Sequence, residues 1–195
     1  MIILHQIVPN VKYMMHTQNR RAYTMRMNIR DLINEQRVEV GAELYAKDEA
    51  LEKLIQMQKK SGAIHNPRAV RRELQEREQR GSTAISCRIA IIDFSHSGAA
   101  YTAVSALTVK NGVDYCAPDK RPVKILFMIT GKSGSQEHIE VKARLMHLLM
   151  DSEFTARLTC AKSKEEFLTL LADREKVRYS PPLPNKKYDC SRFLR

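Results

Sequence analysis

Apolar and polar positions alternate at helical spacing over residues 47–60. Ala50, Leu51, Leu54 and Ile55 fall on one side, and Lys47, Glu49, Glu52, Lys53 and Lys59 on the other. Ser61-Gly62 closes this helix. Asn66-Pro67 opens a second one, with Asn as cap and Pro in the first turn, running to Arg80 with Val70 and Leu74 inward. Before them, Asn28 is placed to cap a short helix over 29–34, and Arg37 to Val40 alternates as a first strand should. Ile89 to Ile92 is an apolar run of strand length, ending at Asp93-Phe94-Ser95-His96, which reads as a loop. Tyr101 to Val109 predicts a strand, Lys110-Asn111-Gly112 a turn, and Val113 to Tyr115 a short return. Val123 to Ile129 is the most strand-like run and reads as the central strand.

The remainder is helical. His138 to Met150 carries Val141, Leu145, Leu148 and Leu149 inward, a short helix follows Asp151, and Ser163 with Glu166 forms a capping box for a helix through Asp173. Gly131 to Ser135 reads as a flexible loop that lacks the spacing of a phosphate-binding P-loop. Pro181, Pro182 and Pro184 exclude a helix and predict an extended tail. Helices interspersed with four or five short strands imply a layered domain of helices on a sheet.

Charge divides the chain. The net +11 is concentrated at the ends: residues 1–27 hold four basic residues and no acid, and 174–195 hold seven basic residues against Glu175 and Asp189. The middle is nearly balanced, which argues against a nucleic-acid face built into the fold. We therefore divide the chain into a basic leader or arm (1–27), a folded domain (28–175) and a basic, Pro-containing tail (176–195). Cys87, Cys116, Cys160 and Cys190 are scattered, without the spacing of a zinc site or a disulfide framework, and read as reduced thiols. No apolar run reaches membrane-spanning length and no signal peptide is evident, so a cytoplasmic protein is expected.

The chemistry-bearing stretch is Arg77-Glu78, Gly81-Ser82-Thr83, then Ile89-Ala90-Ile91-Ile92-Asp93. It resembles the enzyme IIA domain of the bacterial sugar phosphotransferase system, in the fructose, mannitol and nitrogen-regulatory class. That family's pattern reads R-E-x-x-G-S-T-G-[IV]-x-x-G-[IV]-A-[IV]-P-H, and its final His carries the phosphoryl group. Ile92 stands at the Pro position and Asp93 at the His position. The family pattern runs from Asp93 to Pro122 without a gap, and the likeness extends over about residues 28–175. It implies a three-layer α/β/α sandwich around a small mixed β-sheet, an α+β class. It also implies a second His, His138, opening a helix beside the phosphorylation site, with Arg77, Ser82 and Thr83 available to hold phosphate oxygens.

Two functional expectations follow. In the first, phosphotransfer is lost, and Asp93 is a permanent negative charge near Arg77 and His138 in a regulatory or binding protein. In the second, His96 takes over as nucleophile and the domain remains a phosphocarrier. The resemblance implies protein partners: an HPr-like phosphocarrier, a sugar permease component or a regulatory target. It implies no cofactor and no metal. A nucleic-acid-binding role for the basic ends, and a domain working beside a larger transporter or regulator, are the other classes considered. The same fold is known in cytosolic domains of anion exchangers, where it serves interaction, so fold alone does not assign the role.

Overall fold

The computed structural model describes residues 28–179, apart from 87, 97 and 133–136. The expected leader and nearly all of the tail lie outside the described residues. Five strands form one mixed sheet in the order β1-β4-β5-β3-β2. They are β1 (Val38–Ala42), β2 (Ala84–Ser86), β3 (Ile89–His96), β4 (Ala103–Val113) and β5 (Val123–Lys132). β3 runs parallel to β5 and β1 parallel to β4, while β4–β5 and β2–β3 are antiparallel. The central strand is β5, as its apolar run predicts.

Helices cover both faces. On one lie α1 (Ile29–Leu32), α4 (Glu137–Leu149), α5 (Ser152–Thr159) and α6 (Lys164–Tyr179), enclosing Ile89, Ile91, Ile125, Phe127 and Ile129. On the other lie α2 (Lys47–Lys60) and α3 (Pro67–Gln79), enclosing Ala90, Ile92, Leu126 and Met128. The same strands feed both cores by sending alternate side chains to opposite faces. This is the expected three-layer α/β/α arrangement.

The caps of α3, α5 and α6 form where the sequence places them. Asn66 Oδ1 accepts from the Ala69 amide at 3.1 Å, and Asp151 Oδ1 accepts from the Phe154 amide at 3.0 Å. Ser163 Oγ accepts from the Glu166 amide at 3.1 Å, while Glu166 accepts from the Lys162 amide at 2.8 Å.

Four expectations need correction. Asp93-Phe94-Ser95-His96 is strand, not loop, because every residue from Ile89 to His96 pairs in register with β5, ending His96 with Lys132. Gly131 and Lys132 are therefore also strand. Lys110-Asn111-Gly112 does not turn the chain: β4 continues to Val113, which pairs with Val123. Gly112 takes φ +75°, and the ladder shifts register between Thr108 and Val113, so the Asn-Gly signal is spent on a bulge instead of a hairpin. Last, α6 runs past Asp173 to Tyr179, because Glu175 is drawn into the core.

Glu175 ties three elements together. It accepts from the backbone amides of Ile29 at 2.9 Å and Arg30 at 3.3 Å, and its Oε1 lies 2.9 Å from Arg144 Nε. Both side chains are nearly fully buried. Glu175→Ala should lose about 3–5 kcal/mol in urea unfolding, since it removes a buried carboxylate partner of Arg144 and the acceptor of the Ile29 and Arg30 amides. Glu175→Gln, which keeps an acceptor, should lose less.

Candidate functional site

Parity along β3 decides the site. Asp93 and Ser95 continue the Ile89–Ile91 face toward α4, whereas His96 continues the Ile92 face toward α3. Asp93 is mostly buried, and its Oδ1 accepts from Lys142 Nζ at 2.5 Å. Lys142 sits one helical turn beyond His138 on α4, so the two share a helix face.

His138 is buried and packs on Gly131, where an added Cβ would come within 3.0 Å of the imidazole. Gly131 is the register partner of Ser95. A side chain at 131 would displace His138, so the bare backbone there lets the ring lie against the sheet. The His138 Nδ1 is buried without a hydrogen-bond partner. Asp93, Lys142, Ser95 and His138 thus gather at the α4 side of the β3–β5 ends.

His96 is elsewhere. It is 4 % exposed; its Nε2 lies 3.1 Å from Glu73 Oε1, and its Nδ1 accepts from the Gly98 amide at 2.6 Å. An amide can only donate, so Nδ1 holds a lone pair and the ring proton sits on Nε2 toward Glu73. Both nitrogens are engaged, on the face of the sheet opposite Asp93.

Arg77, Ser82 and Thr83 form part of a third arrangement. Arg77 donates to the Gly81 carbonyl at 3.1 Å, at the end of α3. Ser82 Oγ donates to the Tyr115 carbonyl at 2.8 Å, and Thr83 Oγ1 lies 3.0 Å from the Tyr115 hydroxyl. Glu78 accepts from both the Thr83 and Tyr115 hydroxyls and pairs with Lys47 at 2.6 Å. The Lys47 ammonium also stands 4.5 Å from the Tyr115 ring centroid. Thr83 reaches β3 through its carbonyl, which accepts from the Ile91 amide at 3.2 Å. Of the two residues expected near Asp93, His138 lies on the same helix as its ion-pair partner Lys142, and Arg77 bonds to the Gly81 carbonyl instead.

The sequence reading missed Lys142, Glu73 and Tyr115, and named Glu78 only as part of the motif. Lys142 could have been found from its i+4 spacing to His138. Tyr115 had no such signal, because its partners Glu78, Ser82 and Thr83 lie more than thirty residues away in sequence.

Comparison with known proteins places the chain. The model of the phosphoenolpyruvate-dependent sugar phosphotransferase system EIIA 2 family matches residues 31–174. The chain belongs to this family. It is 26 % identical over 151 residues to the fructose-specific EIIABC component of Bacillus subtilis, covering 77 % of this chain but only 24 % of that protein. The chain thus spans about a quarter of that relative's length. It is 27 % identical over 128 residues to the fructose-specific EIIA component of Haloferax volcanii, covering 65 % of this chain and 83 % of that one. The fold matches the crystal structure of the nitrogen regulatory protein IIA-Ntr from Neisseria meningitidis with a TM-score of 0.68 and 22 % identity, over 73 % of this chain and 98 % of that one. Among the described residues of this EIIA-type domain, no helix is long and apolar enough to cross a membrane.

Two predictions follow from the site. In a double-mutant cycle, Asp93→Asn and Lys142→Met should show a favourable coupling of about 0.5–3 kcal/mol in urea unfolding, as expected for a direct, mostly buried pair. Burial drives the Tyr115 hydroxyl well above the ordinary tyrosine range, and the neighbouring Glu78 carboxylate adds to it. A raised folded-state value means that stability is intact below about pH 10, where the unfolded tyrosine ionises, and falls as pH rises further. Melting curves across that range should decline less steeply for Tyr115→Phe.

Proposed function

We propose that this EIIA-type domain is a regulatory or binding protein that has lost phosphohistidine transfer, with Asp93 at the phosphoacceptor position. The observation that carries this reading is the Asp93–Lys142 pair beside His138. A phosphohistidine relay needs an imidazole nitrogen as nucleophile. A carboxylate already engaged by an ammonium offers a weaker nucleophile and forms a higher-energy acyl phosphate. Lys142 also satisfies the anion that Asp93 supplies, so the site carries a fixed, internally compensated charge. The wider likeness to a nitrogen regulatory protein supports a regulatory role. The partners are proteins of the same system: an HPr-like phosphocarrier, a sugar permease component or a regulatory target. Cytoplasmic residence and the division into leader, domain and tail belong to the same proposal.

The second reading makes His96 the phosphoacceptor. Its carboxylate partner Glu73 favours a polarised imidazole. Against it stand the burial of the ring and the engagement of both nitrogens. A phosphoryl group at Nδ1 would displace the Gly98 amide, and one at Nε2 would meet Glu73.

The test is phosphorylation by phosphoenolpyruvate, enzyme I and HPr, read by intact-mass spectrometry beside an active enzyme IIA. The expected result is no added phosphoryl group. A gain that disappears in His96→Ala and persists in His138→Ala would overturn the proposal in favour of a working carrier.

A further inference from the structure

A cavity of about 500 Å³ opens between the β2–β3 side of the sheet and helices α4 and α5. Its floor is aliphatic: Ile85, Ile89 and Ile91 from the strands, Met146 and Leu149 from α4. Met150, 81 % exposed, stands at its edge. The volume lies within the range of small-molecule sites. The hydroxyls of Thr155 and Thr159 contribute little polarity, because they donate back to the Leu149 and Thr155 carbonyls.

The charged lining residues are Arg88 and Lys124, and no carboxylate lines the cavity. Among the described residues neither cation is in an ion pair. Arg88 is exposed and takes φ 68°, a left-handed conformation that costs a residue with a Cβ roughly 1–2 kcal/mol. The strand partner holds it there: the Arg88 carbonyl accepts from the Lys124 amide at 2.8 Å and the Ile125 amide at 3.2 Å. These bonds hold the Arg88 and Lys124 backbones together at the start of the β3–β5 ladder, where both residues line the cavity.

We propose that this cavity binds a medium-chain fatty acid, with the acyl chain on the isoleucine and methionine floor and the carboxylate between Arg88 and Lys124. Burial of methylenes supplies the affinity, and the two cations select the head. A free sugar does not fit, because the floor offers neither the polar groups nor the aromatic faces that hydroxyl-rich rings require. The proposal is independent of the reading of Asp93, although Ile91 lies two residues before Asp93 on the same face and Met146 one turn after Lys142.

The experiment is calorimetric titration of the full chain with decanoate, decanol and decyltrimethylammonium, with amide shifts mapped by NMR. Decanoate should bind with shifts centred on Met146 to Cys160, and at least about tenfold more tightly than the other two. Arg88→Glu with Lys124→Glu should remove that preference, and Ala156→Phe, which fills the cavity, should remove binding. Arg88→Gly separates ligand from fold: relieving the left-handed backbone should raise the melting temperature while decanoate affinity falls. Equal binding of decanoate and decanol, unchanged by charge reversal, would overturn the assignment of the head group. Silence toward decanoate would overturn the site. If phosphatidylglycerol vesicles, but not phosphatidylcholine vesicles, bound the protein while decanoate was silent, the patch would be a membrane-facing surface, which also overturns the proposal.

Discussion

Strand β3 is buried from both sides, and a strand has only two sides to offer. Ile89 and Ile91 supply the core under α4 to α6, while Ala90 and Ile92 supply the core under α2 and α3. Moving the strand by one residue would exchange these sets and bury the wrong groups. In-register pairing with β5 from Ile89 to His96 fixes that parity and carries it beyond the apolar run into the polar residues. Asp93 is thereby committed to the α4 side and His96 to the α3 side. Every chemical statement about this domain inherits that assignment, since the two groups are three positions apart and therefore cannot share a face.

Each side answers its polar residue with a helix. On one, Lys142 reaches Asp93; on the other, Glu73 reaches His96. The first is a pair of opposite charges and the second a ring N–H facing a carboxylate, so each buried polar group has a partner. The second arrangement is tighter. A Cβ on Gly98 would approach the His96 ring at 2.8 Å, so the chain can close over the imidazole only because that residue has none. The contrast separates the two readings of the domain physically: the Asp93 carboxylate remains partly accessible beside an ammonium, and the His96 ring is enclosed.

Much of the architecture was legible in local pattern. The period of α2, the Asn-Pro start of α3 and the capping boxes are short-range signals, and they hold because local preference and tertiary packing agree there. The failures occur where a longer-range term decides. Asn111-Gly112 has hairpin chemistry, but pairing of Val113 with Val123 keeps β4 extended and leaves the glycine as a bulge. Asp93 to His96 has loop composition, but the β5 ladder extends through it. The site suffers from the same limit. The linear motif joins Arg77, Ser82, Thr83 and Asp93, whereas the folded chain gives Arg77 to the Gly81 carbonyl, Ser82 and Thr83 to Tyr115 and Glu78, and Asp93 to Lys142. Sequence spacing could name the residues but not their partners.

The separation of partners also explains how such a scaffold accommodates a carboxylate at Asp93. The ties that hold the layers together do not pass through it. Gln58, fully buried on α2, donates to Ser105 Oγ at 3.2 Å and to the Met128 carbonyl at 3.0 Å, and accepts from Thr130, fastening α2 to β4 and β5. Glu175 fastens α1, α4 and α6 on the other face. Phe127 and Phe167 meet across the same core with ring centroids 6.1 Å apart. A carboxylate at position 93 disturbs none of these. What it does require is a local cation, because an uncompensated charge at 18 % exposure would be costly. Lys142 meets that requirement from a helix already positioned by Val141 and Leu145. Asp93 and Lys142 are thus a matched pair that stands apart from the ties between the layers, and changing one without the other is the costly route.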